Sequence, residues 1–118
     1  MKRILAVDDE QDLLDVVSEF FAGRYDVATA TSGDAALEMI RRQRPDVVFL
    51  DVNMPGLSGL EGLKRLRQSG PSLPIIMVTV NTEIATAEVC LREGAFAFVP
   101  KPFDLNYMNH MAAPATGA

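Results

Sequence analysis

The stretch Val47-Val48-Phe49-Leu50-Asp51 decides the fold. Four consecutive apolar residues, two of them β-branched, read as a strand buried on both faces. The run stops at a lone carboxylate and passes into Asn53-Met54-Pro55-Gly56, which is turn chemistry. An acid placed where a central strand leaves the core sits half-buried, aimed at the crevice above the sheet.

The rest of the chain repeats this grammar. Upstream, Ile4-Leu5-Ala6-Val7 is another buried strand, and it runs into Asp8-Asp9. Leu13, Leu14, Val16, Val17, Phe20 and Phe21 then form an apolar stripe of helical period, with Gly23 as a stop. Tyr25 to Ala30 reads as a strand. Ser32 caps a helix carrying Ala36, Leu37 and Ile40, which closes on Arg41, Arg42 and Arg44 before Pro45.

Downstream of Asp51, Ser58-Gly59-Leu60-Glu61 has capping-box spacing and launches a helix through Leu63 and Leu66, ending near Gly70-Pro71. Pro74 to Val80 is the fourth strand. Asn81 or Thr82 caps a helix bearing Ile84, Val89, Cys90 and Leu91, closed by Gly94. Ala95 to Val99 is the fifth strand, followed by Pro100-Lys101-Pro102. Asp104 caps a last helix containing Leu105 and Met108 and reaching toward Ala112, short and polar for its position. Five βα repeats with short strands imply an α/β fold: a doubly wound parallel sheet with helices on both faces. One domain over residues 1–113 is expected, with residues 114–118 a flexible tail or the stub of a linker to something longer.

Composition narrows the function. The formal net charge is −5, with 16 acids against 11 bases, so no basic stripe exists to neutralise nucleic-acid phosphates. One cysteine gives neither a disulfide framework nor a thiolate metal cage. No secretory signal or apolar membrane span is legible, so a cytoplasmic domain is expected.

The strand ends carry the chemistry. Strand one ends in Asp8-Asp9, strand three in Asp51, strand four in Thr79 and strand five in Lys101, while strand two ends in nothing ionisable. Ligands of open α/β sheets sit beyond these carboxyl ends, at the topological switch point. Two like charges about 4 Å apart cost about 4 kcal/mol at an effective dielectric near 20. A whole domain is stable by only about 5–15 kcal/mol. The acids must therefore shift a pKa or hold a cation, and hard oxygen donors without His or Cys favour Mg²⁺. A carboxylate nucleophile, a divalent ion, an ammonium and a hydroxyl suit phosphoryl transfer onto Asp51. Taken singly, each residue has a plain reading: a helix cap, a loop-entry acid, a β-branched strand residue, a solvated lysine. Their joint placement at strand ends makes the case.

These residues resemble the receiver domain of two-component response regulators over roughly residues 3 to 112. The resemblance rests on Val7-Asp8-Asp9-Glu10, the run Val48 to Gly56, the Thr79 strand, and Phe98-Val99-Pro100-Lys101-Pro102-Phe103. It implies the strand order 2-1-3-4-5. It implies that Asp51 takes phosphate from a histidine kinase, a phosphotransfer protein or a small phosphodonor. Asp9, Asp51 and the backbone carbonyl of Asn53 would bind Mg²⁺, with Asp8 acting largely through water. Thr79 would move to the phosphoryl oxygen and Phe98 would follow it inward. The face of the fourth helix, fifth strand and fifth helix would then change its partner preference, controlling an output domain beyond residue 118, a partner protein or a homodimer. Lys101-Pro102 would be a cis bond. Such a domain turns over no separate substrate and is not an enzyme.

Two departures stand out. Val80 follows Thr79 where receivers usually carry a small residue, and it would shield the phosphoryl group from water. The weak fifth helix unsettles the usual output surface. Two rival readings remain: an aspartate-nucleophile phosphohydrolase of the haloacid-dehalogenase type, which wants an acid where Asn53 stands, and a degenerate receiver-like or flavodoxin-like binding module that phosphorylation does not switch. Cys90 and the methionines Met54, Met77, Met108 and Met111 read as core or loop filler, and His110 as solvated.

Overall fold

The computed structural model describes residues 1–51, 53–54, 57–69, 72–79, 84–100 and 104–117; for residues 53, 54, 57–60, 69, 79, 84, 86, 87 and 100 the description covers the backbone alone. Every residue of β3 (Val47–Asp51) is buried, as its apolar run requires. Around it stand β1 (Arg3–Val7), β2 (Asp26–Ala30), β6 (Ile75–Thr79) and β7 (Ala97–Pro100) in the order β2-β1-β3-β6-β7. All four pairings are parallel. Counting these five strands alone, the order is 2-1-3-4-5, as expected. A small antiparallel pair, β4 (Asn53–Met54) with β5 (Leu57–Ser58), lies outside the sheet, where the sequence read only a turn.

The helices divide between the two faces: α1 (Gln11–Phe21) and α5 (Leu105–Thr116) on one, α2 (Gly33–Arg42), α3 (Gly59–Ser69) and α4 (Ile84–Arg92) on the other. Strand residues alternate between them with period two. Ile4, Ala6, Val47, Phe49, Ile76 and Val78 pack with Leu14, Val17, Phe21, Met108 and Ala112. Leu5, Val7, Val48, Leu50, Ile75 and Met77 pack with Ala36, Leu37, Ile40, Leu63, Leu66 and Cys90. A strand covered on both sides has no polar face, so its sequence shows no alternation. Phe21 and Phe49 stack with ring centroids 6.4 Å apart, joining α1 to the central strand.

Two local start signals work as expected. Ser32 Oγ accepts the Ala35 N–H at 3.1 Å and caps α2; an Asp104 carboxylate oxygen accepts the Asn106 N–H at 2.8 Å and caps α5. The expected caps Asn81 and Thr82, and the Gly70-Pro71 stop, lie outside the described residues.

Two expectations fail. Val16 is 48 % exposed, because spacings of three and four place Leu14, Val17 and Phe21 on one face and turn Val16 about 100° from Val17. The fifth helix does not fray near residue 113. It runs through Pro114 to Thr116 and ends on Gly117 in the left-handed region. Pro114 removes the bond to His110 and opposes helix locally. Burial of Ala112 and Thr116, with Ala115 packed against the core, overrides that local preference.

Candidate functional site

The chain leaves β1 outward to β2 and returns on the other side as β3, so the strand order reverses between β1 and β3. Crevices at such reversals are the binding positions of open α/β sheets. Asp8 follows β1 directly and Asp51 is the last residue of β3. Val7 is in register with Leu50, so Asp8 and Asp51 occupy the next step of the same parallel ladder. Both are 5 % exposed.

Asp8 is held firmly. Its N–H donates to the Ala30 carbonyl at 3.1 Å, which extends the ladder with β2 past the end of β1. An Asp8 carboxylate oxygen accepts the Glu10 N–H at 3.0 Å, serving the residue that caps α1. Asp9 and Glu10 are exposed, and the carboxylates of Asp8, Asp9 and Glu10 can bring oxygens within 4.8 Å of one another. Beneath Asp8 lies a hollow of about 20 Å³ lined mainly by apolar groups, among them Leu14, Val17, Phe49 and Met108. Acids above an apolar floor pay a desolvation cost that a cation of the right chemistry removes.

The donor set fits a hard divalent ion. It is all carboxylate oxygen, with neither imidazole nor thiolate among the clustered groups. Glu10 is the member to which the sequence reading gave no role, although its place at the start of α1 beside Asp8-Asp9 was a legible signal. Asn53 begins β4, two positions beyond Asp51, so its backbone is close to the crevice in sequence and in fold.

Thr79 ends β6, one step past the Asp51–Val78 pair, and stands in register with Pro100 at the end of β7. The ends of β1, β3, β6 and β7 therefore meet on one edge of the sheet. Lys101, Pro102 and Val80 lie outside the described residues; Lys101 directly follows Pro100 in the chain. Phe98 pairs with Met77 in β7, partly buried against the core of the α2–α3–α4 face. It also lines an open apolar groove of about 510 Å³ with Leu91, Phe96 and Tyr107.

The plain readings of Cys90 and His110 hold. Cys90 is fully buried, and burial together with the nearby Glu93 carboxylate pushes its thiol pKa up, which keeps it a neutral core residue. His110 is exposed. Arg41 and Arg42 pair with Glu38 in the last turns of α2. Among the described residues no helix is long and apolar enough to cross a membrane.

Known proteins share this arrangement. Response regulator MprA of Mycobacterium leprae is 44 % identical over 105 residues, covering 87 % of this chain and 46 % of MprA. A protein-glutamate methylesterase/protein-glutamine glutaminase of Bacillus licheniformis is 41 % identical over 108 residues, covering 86 % of this chain and 30 % of that protein. The crystal structure of the receiver domain of NtrX from Brucella abortus matches with a TM-score of 0.90 and 35 % identity, covering 98 % of each chain. This chain spans less than half the length of the curated relatives it matches. The family model of the response regulator receiver domain matches residues 4–113. With the strand order, the crevice acids and these matches in agreement, the chain belongs to the response regulator receiver domain family.

Proposed function

We propose that this domain is a phosphorylation-driven switch in which Asp51 is the phosphoacceptor. One observation carries the reading: Asp51 ends the central strand, buried, on the same ladder step as Asp8, the buried member of the Asp8-Asp9-Glu10 cluster. An Asp51 carboxylate oxygen forms the new bond to phosphorus as the bond from phosphorus to the donor breaks and the donor leaves with that electron pair. The donor is a histidine kinase, a phosphotransfer protein or a small acyl or amido phosphate.

Asp9, Asp51 and the Asn53 carbonyl would hold Mg²⁺, with Asp8 through water and Glu10 at the exposed rim. Bound there, Mg²⁺ supplies the positive charge that offsets the phosphoryl oxygens. Lys101 presents an ammonium to the same group, and the Thr79 hydroxyl donates to a phosphoryl oxygen once it has arrived. Phe98 follows Thr79 inward. It lacks a hydroxyl, so it signals by burial and not by a hydrogen bond. The face formed by α4, β7 and α5 thereby changes which partner it accepts, whether an output domain, another protein or a second copy.

The domain acts in the cytoplasm and turns over no separate substrate. A methylesterase among the relatives leaves the output class to be set by the rest of the protein. Incubation with Mg²⁺ and acetyl phosphate, read by intact mass and by phosphate release, tests the reading. The expected result is one phosphoryl group per chain with slow loss. Continuous release at high turnover would make the chain a phosphohydrolase, and no uptake would make it a binding module that uses the fold alone. Val80→Ala is expected to speed loss of the phosphoryl group; an unchanged rate would remove Val80 as a shield.

A further inference from the structure

At the opposite edge of the sheet, one guanidinium ties three elements together. Arg67, in the last turn of α3, donates from Nη1 to the Leu73 carbonyl at 2.6 Å and from Nη2 to the Gly94 carbonyl at 2.7 Å. Leu73 leads into β6, and Gly94 makes the turn from α4 to β7. Burial lowers the Arg67 pKa, but a guanidinium remains ionised at neutral pH, so both bonds are charge-assisted. The planar fork lets one side chain reach two carbonyls at once, which a lysine ammonium on its flexible stem does less well.

The Gly94 turn is itself tightly built. Gly94 has φ +109°, a conformation that other L residues rarely adopt. The Ala95 N–H donates to the Cys90 carbonyl at 2.9 Å and the Gly94 N–H to the Leu91 carbonyl at 3.2 Å, the paired bonds of a Schellman stop. The Phe96 N–H donates to the Ile75 carbonyl at 2.8 Å, joining the turn to β6. Cys90 in the last turn of α4 is fully buried, while Leu91 and Arg92 beside it are exposed, as are Ala85 and Glu88 nearer the start. Among the described residues, the anchors of α4 that stand out are the buried Cys90 side chain and the bonds of the Gly94 turn, both at its C-terminal end.

We infer that Arg67 is a pin that fixes the C-terminal end of α4, so that the helix responds to events at Asp51 by pivoting about the Gly94 turn. This deepens the proposed switch and rests on it for the origin of the motion. The pin restricts displacement to the end of α4 that follows Thr79 in the chain. In this role Arg67 is a positioning residue, remote from the reacting atoms.

Amide hydrogen exchange by NMR on the intact chain in Mg²⁺, with and without acetyl phosphate, tests it in the parent protein, Arg67→Met and Arg67→Lys. Without the donor, Arg67→Met should raise exchange at Ala95 and Phe96 about tenfold, the loss of a hydrogen bond to a charged group, while β1 and β3 amides keep their protection. Arg67→Lys should fall between the two. With the donor, the parent protein should change at Ala85, Glu88 and Val89 and hold steady at Gly94, Ala95 and Phe96; in Arg67→Met both sets should change. Unaltered exchange at Ala95 and Phe96 in donor-free Arg67→Met, or equal changes at both ends of α4 in the phosphorylated parent, would overturn the pin. If the donor moves no amide anywhere, the phosphorylation reading fails and the pivot with it, while the donor-free comparison separately decides whether Arg67 holds the turn.

Discussion

The two edges of the sheet treat charge in opposite ways. At the amino edge, ionised groups meet opposite charges or backbone carbonyls: Arg3 bonds Asp26, an Asp46 carboxylate oxygen accepts the Arg3 N–H at 2.7 Å, and Arg67 serves Leu73 and Gly94. At the carboxyl edge acids accumulate, with Asp8 and Asp51 buried at the ends of neighbouring strands and Asp9 and Glu10 beside Asp8. Charges at the first edge hold elements in place. Those at the second gather like charge where a cation can bind, and proteins keep such arrangements where function requires them. The comparison teaches where to look for chemistry: at the edge that the stability of the fold does not explain.

The largest expected effect comes from Asp51→Asn. Phosphoryl uptake from acetyl phosphate should vanish by intact mass, while in metal-free buffer the melting temperature should not fall, as the substitution keeps the side chain's size and removes only its charge. A fall in melting temperature would mean that Asp51 holds the fold as the amino-edge charges do, and the contrast would break.

One residue earlier the logic reverses. Leu50 is 1 % exposed and has only a packing role, so Leu50→Ala should cost about 3 kcal/mol in denaturant unfolding, from lost transfer energy and the cavity left behind. The remaining folded fraction should still take up phosphate.

Asp9→Asn should weaken Mg²⁺ binding at least about tenfold, about 1.4 kcal/mol, by titration calorimetry. Its exposure keeps the loss below what a buried ligand would give. At the amino edge, a double-mutant cycle on Arg3 and Asp26, half open to solvent on the acid's side, should return a coupling below about 1 kcal/mol. A coupling of several kcal/mol there would erase the ranking of the two edges.

The smallest effect at neutral pH concerns Cys90. Its thiol pKa is raised in the folded protein by burial and Glu93. The stability it contributes is full below the thiol's ordinary pKa and declines as pH rises from there through the folded value. Cys90→Ala should flatten that alkaline decline in urea unfolding measured against pH.

How far the sequence could be read followed from the range of the forces involved. β3 was legible because a strand covered on both faces must be apolar throughout, and Val47 to Leu50 admit little else. Ser32, Gly94 and Asp104 were legible because capping is local chemistry. The two-residue strands β4 and β5 are too short to show any period. The continuation of α5 past Pro114 could not be read locally, since it depends on Ala112 and Thr116 burying themselves against distant elements. Val16 was misplaced because a stripe of six apolar residues is wider than the face α1 buries. In the crevice, the strand-end rule put Asp8 and Asp51 at neighbouring strand ends, as the register shows, while Glu10 joined Asp8 and Asp9 through the geometry of the α1 entry.

On the function proposed above, the acid-bearing edge lets Asp51, among its neighbours, carry phosphate. Borohydride reduction of the acetyl phosphate-treated protein, followed by peptide mapping, tests it most directly. With labelled borohydride, the expected result is hydride reduction of the Asp51 acyl phosphate to homoserine, with phosphate expelled and the label left on the peptide containing Asp51, dependent on Mg²⁺ and lost with EDTA. Label on Asp8, Asp9 or Glu10 instead, or none at all in the presence of Mg²⁺, would contradict it.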